Sequence, residues 1–130
     1  MGDGQSERVA RRIFEEYEFF GIKLHPFVSK ENLDDPRFFP FYEIMEDLGK
    51  VLICHPSSIP VYKHTDGAVR LRMVLSRFPR LNVVVAYCGA FEYEDYCVLA
   101  DEFEYLYFDT AFNCVHTEFF PNNCPGREFF

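Results

Sequence analysis

Gly49-Lys50-Val51-Leu52-Ile53-Cys54-His55-Pro56 sets a helix stop, four apolar residues, a histidine and a proline in direct succession. An apolar run this short, bounded by glycine and proline, predicts a strand buried on both faces rather than one stripe of a helix. Before it, from about Arg37 to Leu48, the residues Phe38, Phe41, Tyr42, Met45 and Leu48 fall on one helical stripe. Pro40 is tolerable there only in the first turn. After it comes a polar loop with Ser57, Ser58, Pro60 and Gly67, and then a helix that Thr65 or Asp66 can cap. Leu71, Val74, Leu75 and Phe78 form the stripe of that helix, and Pro79 closes it.

The alternation continues in both directions. Upstream, Ala10, Ile13, Phe14 and Tyr17 follow the i, i+3, i+4, i+7 rule of a helix over residues 1–20. Gly21 stops it, and Ile22-Lys23-Leu24-His25 reads as a strand ended by Pro26. Val28 to Phe39 reads as a polar loop. Downstream, Leu81 to Ala86 is a third strand ending at Tyr87-Cys88-Gly89. A helix from about Tyr93 to Phe103 carries Tyr96, Leu99, Ala100 and Phe103 on its stripe, and Tyr105 to Phe108 is a fourth strand ending at Asp109-Thr110. Apolar strands separated by amphipathic helices predict an α/β fold whose parallel sheet is covered by helices. His25, His55, Tyr87 and Asp109 then gather at the strand C-termini, the edge where parallel α/β folds build their sites.

Composition narrows the function classes. The 130 residues are 48% hydrophobic and 18% aromatic, enough for a folded core. A net charge of −8 argues against nucleic acid or an anionic membrane as partner and suits a cytoplasmic protein. No stretch approaches the ~20 apolar residues of a transmembrane helix, and Met1 to Glu7 is polar, unlike a signal peptide. Cys54, Cys88, Cys97, Cys114 and Cys124 are odd in number and irregularly spaced, which fits reduced thiols better than a disulfide framework.

Four phrases, taken in order and spacing, resemble the amidohydrolase-related family that includes aminocarboxymuconate-semialdehyde decarboxylase. They are GIKLHP (Gly21–Pro26), VLICHPSS (Val51–Ser58), FPRLNVVVAYCGAFE (Phe78–Glu92) and YLYFDTAF (Tyr105–Phe112). The resemblance covers residues from about 7 to 112 and implies strands four to seven of a (β/α)₈ TIM barrel. It divides the chain into a partial barrel domain, 1–112, and an unmatched tail, 113–130.

Members of that family hold a catalytic divalent metal, usually zinc, at the barrel mouth. The metal polarises a small carboxylate-type substrate and activates water for hydrolysis or decarboxylation. Carried onto this chain, the resemblance makes His55 the metal-ligand candidate and His25, Tyr87 and Asp109 candidates for the substrate pocket. The sequence also departs from the family pattern. Tyr87 stands where a histidine is expected, and no His-x-His pair occurs anywhere in the chain. The expectation is therefore a fragment of a metal-dependent hydrolase or carboxy-lyase, inactive alone, with a divalent metal in the family and a metal-free chain as the alternative.

Each candidate also has a plainer reading. His55 and His25 can simply hydrogen-bond or line the strand ends, and Asp109 can accept from loop amides. Cys54 and Cys88 could join His55 in a thiolate–imidazole site, or be small buried hydrophobes. Lys23 is similar to the carboxylated lysine of binuclear relatives but sits inside a strand. His64 and His116 read as exposed, and Glu92, Glu94 and Asp95 as acids favouring a helix dipole. A complete barrel takes about 250 residues, so four parallel strands would leave two open edges. Such edges invite association, and a homo-oligomer or a non-catalytic interaction module is the alternative reading.

Overall fold

The computed structural model describes residues 4–55 and 66–111, apart from the side chain of Phe91. Helix α1 (Gly4–Arg11) continues into a π turn over Arg12–Glu16, and strand β1 (Gly21–Leu24) follows. A short helix α2 (Pro26–Ser29) and a 3-10 turn (Pro36–Phe38) lead into α3 (Phe39–Asp47) and β2 (Val51–Cys54). Then come α4 (Gly67–Arg77), β3 (Asn82–Val85), a 3-10 stretch (Ala86–Glu92), α5 (Tyr93–Glu102) and β4 (Leu106–Phe108). The strands pair in parallel in the order β1-β2-β3-β4. This is the α/β, partial TIM-barrel arrangement that the sequence predicts.

Local chemistry fixes the element ends. Gly49 takes a left-handed φ of 63° after α3, and the Lys50 N–H reaches back to the Met45 carbonyl at 2.8 Å, the 6→1 bond of a Schellman motif. A β-carbon on Gly21 would lie 1.8 Å from the Val51 carbonyl oxygen, so only glycine lets β1 approach β2 there. The first helix is shorter than its periodicity suggests. Its α part ends at Arg11, and of the expected stripe Ala10 and Phe14 are buried while Tyr17 is exposed.

The register builds the sheet in rows. Ile22, Leu52, Val83 and Leu106 align on one face, followed by Leu24, Cys54, Val85 and Phe108. These side chains meet Tyr42, Met45, Leu71, Val74, Leu75, Tyr96 and Leu99 from the helices to make the core. The other face carries the rows Gly21–Val51–Asn82 and Lys23–Ile53–Val84–Tyr107. There Val51, Ile53, Asn82 and Val84 are half-buried, and Lys23 and Tyr107 are exposed. Burial on both faces was the expectation for Val51–Cys54. Instead, Leu52 and Cys54 are fully enclosed while Val51 and Ile53 are not, because the helices among the described residues pack on one side. In a closed barrel the second face is the one that points inward.

Candidate active site

Two histidines meet where β1 and β2 end. Residues Gly21 to Leu24 pair one-to-one with Val51 to Cys54, and the His55 N–H donates to the Leu24 carbonyl at 2.9 Å, extending the ladder. Side chains alternate across a strand, so His25 and His55 continue the open face above Lys23 and Ile53. Their rings stack at 3.7 Å between centroids with 14° between planes. The His25 carbonyl accepts from the Val28 and Ser29 N–H groups, both at 2.9 Å, and from Ser29 Oγ at 3.2 Å, which anchors the turn into α2. The His25 Nδ1 is buried and has no hydrogen-bond partner among the described residues.

Tyr87 closes the third side. Its ring stands edge-on to His55, 5.0 Å between centroids at 75°. The chain reaches this position through an unusual turn in which Tyr87, Cys88, Gly89 and Ala90 all have positive φ, between 49° and 83°. Such backbone is costly for residues with a β-carbon. Asp109 holds it. Its Oδ1 accepts from the Tyr87 N–H at 2.8 Å and the Ala111 N–H at 3.1 Å. Its carbonyl accepts from the Cys88 N–H at 2.9 Å and from Cys88 Sγ at 3.2 Å. The carboxylate is thus engaged by loop amides, the plainer of its two readings.

The cysteines do not join the histidines. Cys54 is one residue before His55 and therefore on the helix-covered face, where burial pushes its thiol up to about 12. Cys54 therefore points away from the histidines, and Cys88 Sγ is turned toward the Asp109 carbonyl. His64, His116, Cys114 and Cys124 lie outside the described residues, as does the boundary expected between residues 112 and 113.

The contacts of three residues near this edge differ from, or go beyond, their sequence reading. Glu92 is buried, and its Oε1 accepts from the Ala68 N–H at 3.4 Å, reaching the first turn of α4 rather than its own helix. Asp66, expected to cap α4 with its side chain, instead binds Arg70 Nε at 2.7 Å. Tyr96 is fully buried, with a hydroxyl unpartnered among the described residues and its ionisation pushed well up by burial. Nothing in the spacing of Glu92 signals a partner 24 residues away in sequence. The i, i+4 spacing of Asp66 and Arg70 is the signal that could have found their pair.

The parallel half-sheet, with its polar residues collected at one edge, belongs to the class of TIM-barrel proteins. The amidohydrolase family model matches residues 4–123, and the chain belongs to that family. No curated protein sequence matches it. Among solved structures, it is similar to an uncharacterised TIM-barrel protein from Bordetella bronchiseptica, at 18% identity and a TM-score of 0.67. That match covers 100% of this chain and 53% of the other. It also matches 5-carboxyvanillate decarboxylase from Sphingomonas paucimobilis at 18% identity and a TM-score of 0.43, covering 90% and 42%. The chain thus spans about half the length of the solved structures it matches.

Amidohydrolases are generally metal-dependent, so the fit of a metal can be tested. Imidazole suits zinc, and a buried, unpartnered Nδ1 on His25 is the kind of atom a ligand would satisfy. A catalytic zinc, however, takes about three protein ligands. Among the described residues no three His, Cys, Asp or Glu side chains come together to hold an ion. Two stacked imidazoles and a carboxylate already engaged by amides do not amount to that set. The described residues alone do not fit the metal.

Proposed function

We propose that this chain carries part of an amidohydrolase-type site for hydrolysis or decarboxylation of a small carboxylate-type substrate, and that these 130 residues do not catalyse it alone. The observation that carries the reading is the stacked His25–His55 pair, set by strand register at the C-terminal edge of a parallel half-sheet. His55 is the proposed metal ligand, imidazole nitrogen being a common ligand of zinc. His25 and Tyr87 form the proposed pocket wall around it, and Asp109 fixes the turn that presents Tyr87. The remaining donors have to come from outside the described residues.

A second reading is supported by the uncovered face of the sheet. Phe20 is 89% exposed beside β1, and Val51 and Ile53 are only half-covered, so the chain could act as a non-catalytic module that self-associates. Metal content by mass spectrometry on tag-free protein, with molar mass by light scattering, tests both readings. The expected result is less than one zinc per chain and no turnover. Stoichiometric zinc that His55→Ala removes would show a site completed by assembly, and turnover of small carboxylates by that assembly would overturn the inactivity. A monomer at all concentrations would sink the self-association reading.

A further inference from the structure

We infer that two copies of this chain close an eight-stranded barrel head to tail, each β4 pairing in parallel with the partner's β1. This closure rests on the self-association reading and gives it a surface, a seam and a stopping point.

The two edges of the sheet are unlike and complementary. Val51 and His55 donate to the Phe20 and Leu24 carbonyls, so every second residue of β1 directs its main-chain groups at β2. The N–H and C=O of Gly21 and Lys23 then point outward, and no described residue pairs with them. At the far edge Tyr105 accepts from Val83 and Asp109 donates to Val85, which turns the groups of Leu106 and Phe108 outward. These seams share one rule. Core-facing residues of the earlier strand (Leu24, Val83, Val85) bond open-face positions of the later one (Val51, His55, Tyr105, Asp109). β4 offers core-facing Leu106 and Phe108, and β1 offers open-face Gly21 and Lys23. A β4–β1 seam therefore repeats the rule and keeps both open faces on the inside.

Geometry sets the number of copies. Four strands span half of an eight-stranded barrel, so the copies are related by about 180° and a head-to-tail contact closes at two. Closure also gathers the strand C-termini of both copies at one mouth, so each His25–His55 pair faces the partner's pair across a shared site.

Charge disfavours joining like edges. Helix α5, which packs on β4, carries Glu94, Asp95, Asp101 and Glu102 and no base, and a β4–β4 seam would set two such helices side by side. A β1–β1 seam would bring two Lys23 ammonium groups together. Head to tail, α5 instead meets the partner's α1, in which Arg8 has no ion-pair partner among the described residues. Tyr107 likewise meets the partner's Lys23. These two are the exposed ends of the row Lys23–Ile53–Val84–Tyr107, and neither side chain has a partner among the described residues.

Sedimentation and light scattering of the tag-free chain over a concentration series read the assembly. The expected result is a monomer–dimer equilibrium without larger species, the open face staying half-covered where dilution favours the monomer. Tyr107→Lys changes an exposed side chain and sets like charges across both seams. It should raise the dimer dissociation constant roughly two- to thirtyfold. Tyr107→Glu should hold or lower that constant, and Lys23→Glu combined with Tyr107→Lys should return it toward the original value. A dimer indifferent to Tyr107→Lys would leave self-association standing and overturn the head-to-tail closure in favour of a β1–β1 seam. Growth beyond two copies would also overturn the closure. A monomer at every concentration would overturn closure and self-association together, so the two failures remain distinguishable.

Discussion

Cys54 and His55 are consecutive residues of one strand end, yet they belong to two different environments. The face carrying Ile22, Leu52, Cys54, Val83 and Val85 packs against helices and forms the core. The face carrying Lys23, Ile53, Val84 and Tyr107 is half-covered at best, and the histidine pair stands at its upper end. A one-residue step along the strand therefore separates what stabilises the fold from what could do chemistry. Among the described residues the half-sheet holds together through one face and leaves the other half-covered.

The largest test of that contrast is a pair of truncations one residue apart. Leu52 is fully buried, so Leu52→Ala should cost about 2–5 kcal/mol in denaturant unfolding. Ile53→Ala removes a half-buried side chain and should cost about 1 kcal/mol. Equal costs would break the comparison, because they would mean the open face is covered in solution.

Reactivity should divide along the same line. Cys54 has its thiol raised by burial to about 12 from 9.0. A raised folded-state value makes the neutral thiol the native form. Its contribution is complete below about pH 9 and is lost as pH climbs through the window from 9 to 12, where the unfolded chain ionises first. Iodoacetamide mapped by peptide mass should leave Cys54 unmodified in native protein near pH 8 and label it fully in denaturant, with stability declining above pH 9. Native labelling of Cys54 as fast as that of the half-buried Cys97 would contradict the burial.

A smaller effect is expected where the two faces meet, at the end of β3. Asp109→Ala removes two acceptor bonds to the amides of Tyr87 and Ala111 while leaving the backbone bonds to Cys88 in place. The loss should be about 1–3 kcal/mol, the cost of freeing amides held by a charged acceptor. Tyr87 should also loosen against His55, seen as altered ring resonances of both. A stability loss without any change at His55 would separate the clamp from the site.

The strands were legible because their chemistry is local. IKLH, VLIC, LNVVVA and YLYF read as short runs between breakers, the observed strands differ from them by a residue or so at either end, and the helical stripes supply the matching faces. The histidine pair was half-legible. His25 and His55 each stand four positions after the first residue of their strand, so aligned register brings them side by side. Register is a tertiary property, and no residue in either strand states it alone. The turn at Tyr87–Ala90 was illegible, because only Gly89 suggests positive φ and the clamp at Asp109 lies 22 residues on. Glu92 failed the sequence reading for the same reason: its partner sits on another helix.

Tyr96→Phe gives the smallest effect. The ring is fully buried on the covered face, lying within 3.1 Å of where a β-carbon on Gly89 would sit, so it supports the turn below the site. Its hydroxyl has no partner among the described residues, and a buried unsatisfied hydroxyl costs free energy that removal returns. Tyr96→Phe keeps the ring and deletes only that cost, so it should be neutral or stabilising by up to about 1 kcal/mol. Tyr96→Ala, by contrast, should cost about 3–5 kcal/mol, since it empties the space of an aromatic ring. If Tyr96→Phe destabilises by more than about 1 kcal/mol, the hydroxyl has a partner, and the covered face conceals a polar contact that links α5 to the site edge.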